Sequence, residues 1–171
     1  SDVCSSDLTL VYGSAVHAAL EHYYKFKLKS RPVSSSEVVK VFEQSWQSEG
    51  FASKEHETSL FEQGKRVVKA YIEAHKNDQH KPVAIEQSFE LQLPKLKTVI
   101  SGRYDIVLET PEGIEIRDFK TSRVKDQKTA DSKAKDSIQL GIYGLSWEKL
   151  QQKPVFATSL EFIEDQKVGK N

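Results

Sequence analysis

Residues 98–120, TVISGRYDIVLETPEGIEIRDFK, contain the pattern that decides the fold. Apolar and polar residues alternate over Thr98–Glu109, and β-prone residues fill Ile114–Lys120, as is typical of strands. The intervening Thr110–Gly113, TPEG, has proline and glycine at the second and fourth positions of a type I turn. The stretch therefore predicts a β-hairpin.

The sequence on either side of the hairpin predicts an α+β fold. Apolar residues at steps of three and four predict helices over Gly13–Lys29, Glu37–Glu49 (ended by Gly50), Lys54–Lys76 and Ser137–Gln151. Period-two runs predict strands over Val83–Leu93 and Val155–Ile163. Thr121–Asp136 is charged, poor in apolar residues and predicted to be a loop. This order, three helices, three strands, a helix and a strand, predicts an α/β sandwich around a mixed central sheet.

The composition excludes several classes of protein. Lys plus Arg and Asp plus Glu number 25 each, and the zero net charge excludes a simple polybasic protein while leaving a local basic groove open. No apolar run is long enough to span a bilayer. The single cysteine, Cys4, excludes a cysteine-ligated iron–sulfur cluster, and no phosphate-binding Gly-x-x-x-x-Gly-Lys-Ser/Thr motif for ATP occurs. We expect a cytoplasmic protein with no membrane contact.

The ends of the sequence suggest a piece of a longer protein. It contains no methionine, and it stops soon after the last predicted strand. Residues 1–8, SDVCSSDL, have neither a helical nor a strand period and are interpreted as a non-native leader. We therefore expect one domain over residues 9–171.

The predicted hairpin brings two carboxylates together. Counting back from the pair Thr110 and Gly113 places Asp105 opposite Asp118, where two like charges would destabilise a sheet. A divalent cation would neutralise both, and carboxylate oxygens favour Mg²⁺ or Mn²⁺. Lys120 shares the face of Asp118, where its charge can orient a water or stabilise a reacting phosphate. An isolated Asp-x-Lys is also common in exposed strands, and an odd turn would move Asp105 to the other face.

Further polar residues occur in a characteristic order around this pair. The segment Gly-Ser-Ala-Val-His ends at His17, Glu86 lies in the first predicted strand, and Gly-Arg-Tyr-Asp ends at Asp105. Gln139 and Tyr143 lie four residues apart, on one face of the last predicted helix. Over nearly its whole length the chain resembles the RecB-like branch of the PD-(D/E)XK nuclease superfamily. More narrowly, it resembles the C-terminal nuclease domain of UvrD/RecB-type ATP-dependent DNA helicases.

This resemblance implies a restriction-endonuclease-like core and assigns roles to the residues. Asp105 and Asp118 would bind the metal, His17 would lie near it, and Lys120 would be the catalytic lysine. Supporting positions beside the site fall on Gln139, Tyr143 and Glu86. The implied activity is that of a Mg²⁺-dependent (or Mn²⁺-dependent) deoxyribonuclease, an exonuclease, with DNA as its partner. It would belong to a helicase–nuclease of DNA repair or recombination, with the helicase motor N-terminal to this piece and no iron–sulfur cluster.

Simpler interpretations stay open for the individual residues. His17 can be a half-buried helical histidine, Glu86 a solvated strand residue, and Gln139 and Tyr143 the boundary of an amphipathic helix. Two other functions also stay open. One is a catalytically inactive DNA-binding or docking module of a helicase, and the other is a structural interaction domain with a chance motif.

The segment after the hairpin is basic. Residues 117–135 contain seven basic and three acidic residues, a balance that can follow a phosphate backbone. We expect Arg123, Lys125 and Lys128 to contact DNA. Such a run is also typical of a solvated loop.

Overall fold

A computed structural model of the chain describes residues 3–48, 51 and 53–171. Within these residues the chain forms five α-helices and a five-stranded mixed sheet, which confirms the predicted α+β class. The chain divides into two compact units, one up to Asp78 and one from Gln79. No helix in the described part of the chain is both long and apolar enough to cross a membrane.

The N-terminal unit consists of three helices: α1 (Val3–Leu28), α2 (Ser35–Ser45) and α3 (Lys54–His75). Helix α1 begins ten residues before the predicted Gly13. The predicted start was therefore wrong, because the first residues are helical although their sequence has no helical period. Helix α2 ends four residues before the predicted Glu49, because Trp46 takes extended backbone. The predicted stop at Gly50 lies outside the described residues.

Side-chain caps and one close contact fix the second helix. The Ser34 hydroxyl accepts a hydrogen bond from the Glu37 N–H at 3.2 Å, and the Glu37 carboxylate accepts one from the Ser34 N–H at 2.9 Å. This capping box satisfies two polar groups at the start of α2. The ring of Phe42 lies against Gly64 of α3, where an added Cβ would come within 2.2 Å of the ring. Glycine at this position therefore permits the close approach of α2 and α3.

The C-terminal unit contains the sheet and two helices. Its elements are β1 (Lys81–Leu93), β2 (Thr98–Thr110), β3 (Gly113–Lys120), α4 (Gln127–Lys135), α5 (Ile138–Gln151), β4 (Val155–Phe162) and β5 (Lys167–Lys170). A short 3₁₀-helix, Pro94–Leu96, joins β1 to β2. The strands are ordered β1-β2-β3-β4-β5; β3 and β4 are parallel, and the other neighbours are antiparallel. Parallel strands need a long connection, which α4 and α5 supply.

The hairpin has the predicted register. Thr110 pairs with Gly113, and the pairing continues to Ile106 opposite Arg117. The turn therefore contains two residues, and the alternative with an odd turn is wrong. The next step along the same register leads to Asp105 and Asp118.

The prediction of a loop over residues 121–136 is wrong in its second half, where α4 forms. Asp126 caps this helix by accepting a hydrogen bond from the Thr129 N–H at 2.8 Å. The helix buries two small residues, Ala130 and Ala134, and a stripe this narrow gives almost no hydrophobic period. The backbone of α4 lies so close to β5 that a Cβ added at Gly169 would be 2.0 Å from the Ala130 carbonyl oxygen.

One face of the sheet forms an apolar core with α4 and α5. Val107 and Ile116, neighbours across the hairpin, are fully buried in it. The Tyr104 and Ser146 hydroxyls, 2.6 Å apart, join β2 to α5 within this core. The strand ends that carry the candidate residues are thereby held against α5.

Candidate active site

Asp105 lies at the point where the β2–β3 pairing ends. Its Oδ2 accepts a hydrogen bond of 2.7 Å from the Phe119 N–H, so a side chain continues the contact between the strands beyond the last backbone pair. The side chain is largely buried, with 9% of the residue exposed. The carboxylate is therefore oriented by the backbone of β3.

Asp118 and Lys120 share a face of β3. Asp118 Oδ2 and Lys120 Nζ lie 2.6 Å apart, with 5% of the Asp118 side chain and 35% of the Lys120 side chain exposed. The Lys120 backbone is fixed as well, because its carbonyl oxygen accepts a hydrogen bond of 3.0 Å from the Ile163 N–H after β4. Asp118 is thus a buried carboxylate beside a partly accessible ammonium group.

Two residues of α5 extend this contact. Gln139 Oε1 accepts a hydrogen bond of 3.2 Å from Lys120 Nζ, and Gln139 Nε2 donates one of 2.8 Å to the Tyr143 hydroxyl. Their spacing of four places both on one face of the helix. Burial, followed by the charge of Asp118, raises the pKa of Tyr143 to about 12. The phenol therefore keeps its proton at neutral pH.

Glu86 lies beside Asp105 on β1. The register places Ile85 opposite Ile106 and Gln87 opposite Tyr104, so Glu86 occupies the position facing Asp105. One carboxylate oxygen of each residue lies within 4.8 Å of the other. Glu86 has φ of 48°, a left-handed conformation that costs a non-glycine residue roughly 1–2 kcal/mol. Such strain is typical of functional positions.

Arg103, which was not among the residues predicted from the sequence, also belongs to this group. Its Nε lies 2.7 Å from Glu86 Oε2. A sequence signal for it exists, because Arg103 precedes Asp105 by two residues, a spacing that predicts a shared face in a regular strand.

The C-terminal unit therefore gathers three carboxylates and two cationic groups around the start of α5. The group consists of Glu86, Arg103, Asp105, Asp118, Lys120, Gln139 and Tyr143. Three negative and two positive charges give these residues a net charge of −1. Oxygen donors with a net negative charge suit a hard divalent cation such as Mg²⁺ or Mn²⁺. The residues present therefore fit a metal site.

His17, the remaining predicted metal residue, lies on α1 of the N-terminal unit and is half-buried. Its approach to the carboxylates stays a prediction.

The predicted DNA-contact residues lie in different surroundings. Lys125 and Lys128 are exposed just before and within the first turn of α4. Arg123 is also exposed, but its guanidinium contacts Asp165 at 3.1 Å and Glu164 at 3.6 Å. The hydrogen bond and charge of Asp165 raise the pKa of Arg123. The charge of Arg123 is thus already compensated, whereas the two lysines carry the basic character of this surface.

Comparison with known proteins gives one family. The family model of the PD-(D/E)XK nuclease superfamily matches residues 4–170. No curated protein matches the chain.

Proposed function

Because this chain belongs to the PD-(D/E)XK nuclease superfamily, we propose that it is a RecB-like deoxyribonuclease that cleaves DNA as an exonuclease. Membership in the superfamily indicates a metal-dependent nuclease. The observation that carries the proposal is the row of contacts from buried Asp118 through Lys120 to Gln139. These contacts place a carboxylate of the kind that binds metal ions next to a positioned, partly accessible cation.

The carboxylates of the site have the first role. Asp105 and Asp118 would hold the divalent ion, with Glu86 and His17 as further candidate ligands. When bound, the ion polarises the phosphate and lowers the pKa of a water, which becomes a nucleophile at neutral pH. The Phe119 N–H fixes the direction of the Asp105 carboxylate, so this residue presents its charge without rearrangement.

Lys120 has the second role. An ammonium group has three N–H donors; Lys120 gives one to Gln139, and its ion pair with Asp118 holds the group from a second side. A further N–H can donate to the attacking water or to a phosphate oxygen, where negative charge grows during hydrolysis. Because Tyr143 accepts a hydrogen bond from the Gln139 amide nitrogen, the amide oxygen of Gln139 points to Lys120.

The proposed setting is DNA repair or recombination in the cytoplasm, with this chain joined to a helicase motor that precedes residue 9. The resemblance to UvrD/RecB-type nuclease domains supports this setting. Helicase motifs in the parent reading frame upstream of residue 9 are the expected finding. An unrelated upstream sequence would remove the helicase link and leave the nuclease proposal in place.

The catalytic proposal is tested by cleavage of end-labelled single- and double-stranded DNA in Mg²⁺ or Mn²⁺, with and without chelator. Chelator should abolish cleavage. Asp118→Asn should lose both metal affinity and turnover, because it removes a charged ligand. Lys120→Ala should keep metal binding and lose about 10²–10³ in rate, the usual effect of removing one such electrostatic contact. Lys149→Ala, at an exposed position of α5, is the matched control and should cut at the parental rate.

The outcomes separate the alternatives. Cleavage by Lys120→Ala at the parental rate would reject a catalytic role for this lysine. DNA binding without cleavage in either metal would instead indicate an inactive docking module.

The proposed DNA-contact surface is tested separately. Replacing Lys125 and Lys128 together by glutamine should weaken DNA binding and lower the slope of log Kd against log salt by about 2, one for each phosphate contact. The rate at saturating DNA should not change. We expect a smaller effect for Arg123→Gln, because Asp165 and Glu164 already compensate its charge. An unchanged salt slope in the double variant would show that the two lysines are solvated surface residues that do not contact DNA.

A further inference from the structure

Arg103 is anchored at one atom and accessible elsewhere. Its Nε contacts Glu86 Oε2 at 2.7 Å, and the Glu86 side chain is only 15% exposed. The Arg103 side chain is nevertheless 62% exposed. A ligand can therefore reach the terminal Nη groups while Glu86 holds the guanidinium through its Nε.

The arginine also lies at the edge of the candidate site. Arg103 contacts Glu86, and one carboxylate oxygen of Glu86 lies within 4.8 Å of one of Asp105. Burial and the charge of Asp118 raise the pKa of Tyr143, and the charge of Arg103 opposes them, so Arg103 is close enough to act on this phenol. The cation is thus next to the groups that would perform the reaction.

A cation at this edge would offset the negative charge of the site and so favour the binding of a phosphate. Three carboxylates repel an approaching phosphate, and Lys120 is already in contact with Asp118 and Gln139. A guanidinium presents two parallel N–H groups that match two oxygens of one phosphate. Because Nε contacts Glu86, the two Nη groups are the ones that can present parallel N–H groups to a phosphate.

We propose that Arg103 is a phosphate-binding residue that holds the DNA backbone next to the bond to be cleaved, with Glu86 as its positioning partner. This inference rests on the proposed function and adds a substrate contact to the same site.

The test is the binding of a fluorescein-labelled oligonucleotide in Ca²⁺, measured by anisotropy from low to high salt on the intact chain. Arg103→Gln should raise Kd about tenfold, as expected for the loss of one charged hydrogen-bonding contact, and lower the salt slope by about 1. Arg103→Lys should keep the slope, because the charge remains, but lose part of the affinity, because the fork is gone. Arg66→Gln, at an exposed position of α3, is the control and should match the parental chain.

A parental Kd and slope in Arg103→Gln would overturn the inference, and so would full affinity in Arg103→Lys. Cleavage, measured separately in Mg²⁺, distinguishes this failure from failure of the proposed function. A parental chain that binds but does not cut, with the reduced slope in Arg103→Gln, would reject the nuclease activity and keep the phosphate contact. A parental chain that cuts, with no effect of Arg103→Gln on binding, would reject only the contact. A parental chain that binds no DNA would overturn both.

Discussion

Replacing Glu115 by glutamine should remove a pH-dependent part of the stability. Glu115 lies on β3 with 1% of the residue exposed. Its Oε1 accepts hydrogen bonds from Arg117 Nε at 2.8 Å and from the Ser159 hydroxyl at 2.7 Å, and its Oε2 lies 3.2 Å from Lys170 Nζ. A buried carboxylate with three partners of this kind is stable only in its charged form.

The magnitude follows from the pKa of Glu115. Burial alone would raise this pKa, but the hydrogen bond and charge of Arg117, with Ser159 and Lys170, lower it from 4.5 to about 2. A difference of about 2.5 pKa units corresponds to about 3 kcal/mol. Because the folded state has the lower pKa, this stabilisation is complete above the unfolded value and is lost as pH falls from about 5 towards 2. Roughly 2 kcal/mol of it should be lost between pH 7 and pH 3.

The assay is urea unfolding at several pH values from 7 to 3. At pH 7 Glu115→Gln should be less stable than the parental chain by about 3 kcal/mol. Towards pH 3 the two free energies of unfolding should converge by about 2 kcal/mol. Glu109→Gln, at an exposed position of β2, is the control, and its free energy of unfolding should depend on pH as that of the parental chain does. If Glu115→Gln and the parental chain lost the same free energy of unfolding between pH 7 and pH 3, the prediction would be refuted, because the carboxylate would then contribute nothing to the pH dependence.

Three further changes test the packing and the support of the lysine. Gly169→Ala should destabilise the protein by about 3 kcal/mol in urea unfolding, since its Cβ would be 2.0 Å from the Ala130 carbonyl oxygen; parental stability would contradict this contact. Gly141→Ala, on α5 with no atom within 4 Å of the added Cβ, should gain up to about 1 kcal/mol, and a loss would show hidden crowding. Gln139→Ala should lower kcat about tenfold with KM unchanged, because it acts through Lys120; a change confined to KM would place Gln139 in substrate binding.

The parts of the fold that the sequence predicts depend on local signals. Ser34 and Ser53 cap the helices that follow them, as their position before each helical pattern indicates. The hairpin register follows from a two-residue turn and a period of two, both of which lie within residues 98–120. Asp118 and Lys120 share a face for the same local reason.

The parts that the sequence does not predict depend on contacts between distant segments. Helix α4 has too narrow an apolar stripe to be recognised, and it is held by close packing on β5 through Gly169. The contact between Arg103 and Glu86 requires the β1–β2 register and the left-handed backbone of Glu86, which no nearby glycine indicates. Likewise, the hydrogen bond from Lys120 to Gln139 joins two elements separated by the first half of the crossover.

The parallel pairing of β3 with β4 has a consequence for the order of folding. Strands β2 and β3 are joined by two residues, so the hairpin and the Asp105–Phe119 contact can form at once. The Lys120 carbonyl oxygen receives its hydrogen bond from Ile163 after the whole crossover has been made and has closed a long loop. We therefore expect a growing polypeptide to orient the Asp105 carboxylate before the backbone of Lys120 is fixed. We expect ribosome-bound chains that end before β4 to have no hydrolytic activity, so that cutting begins only when synthesis of this region is complete.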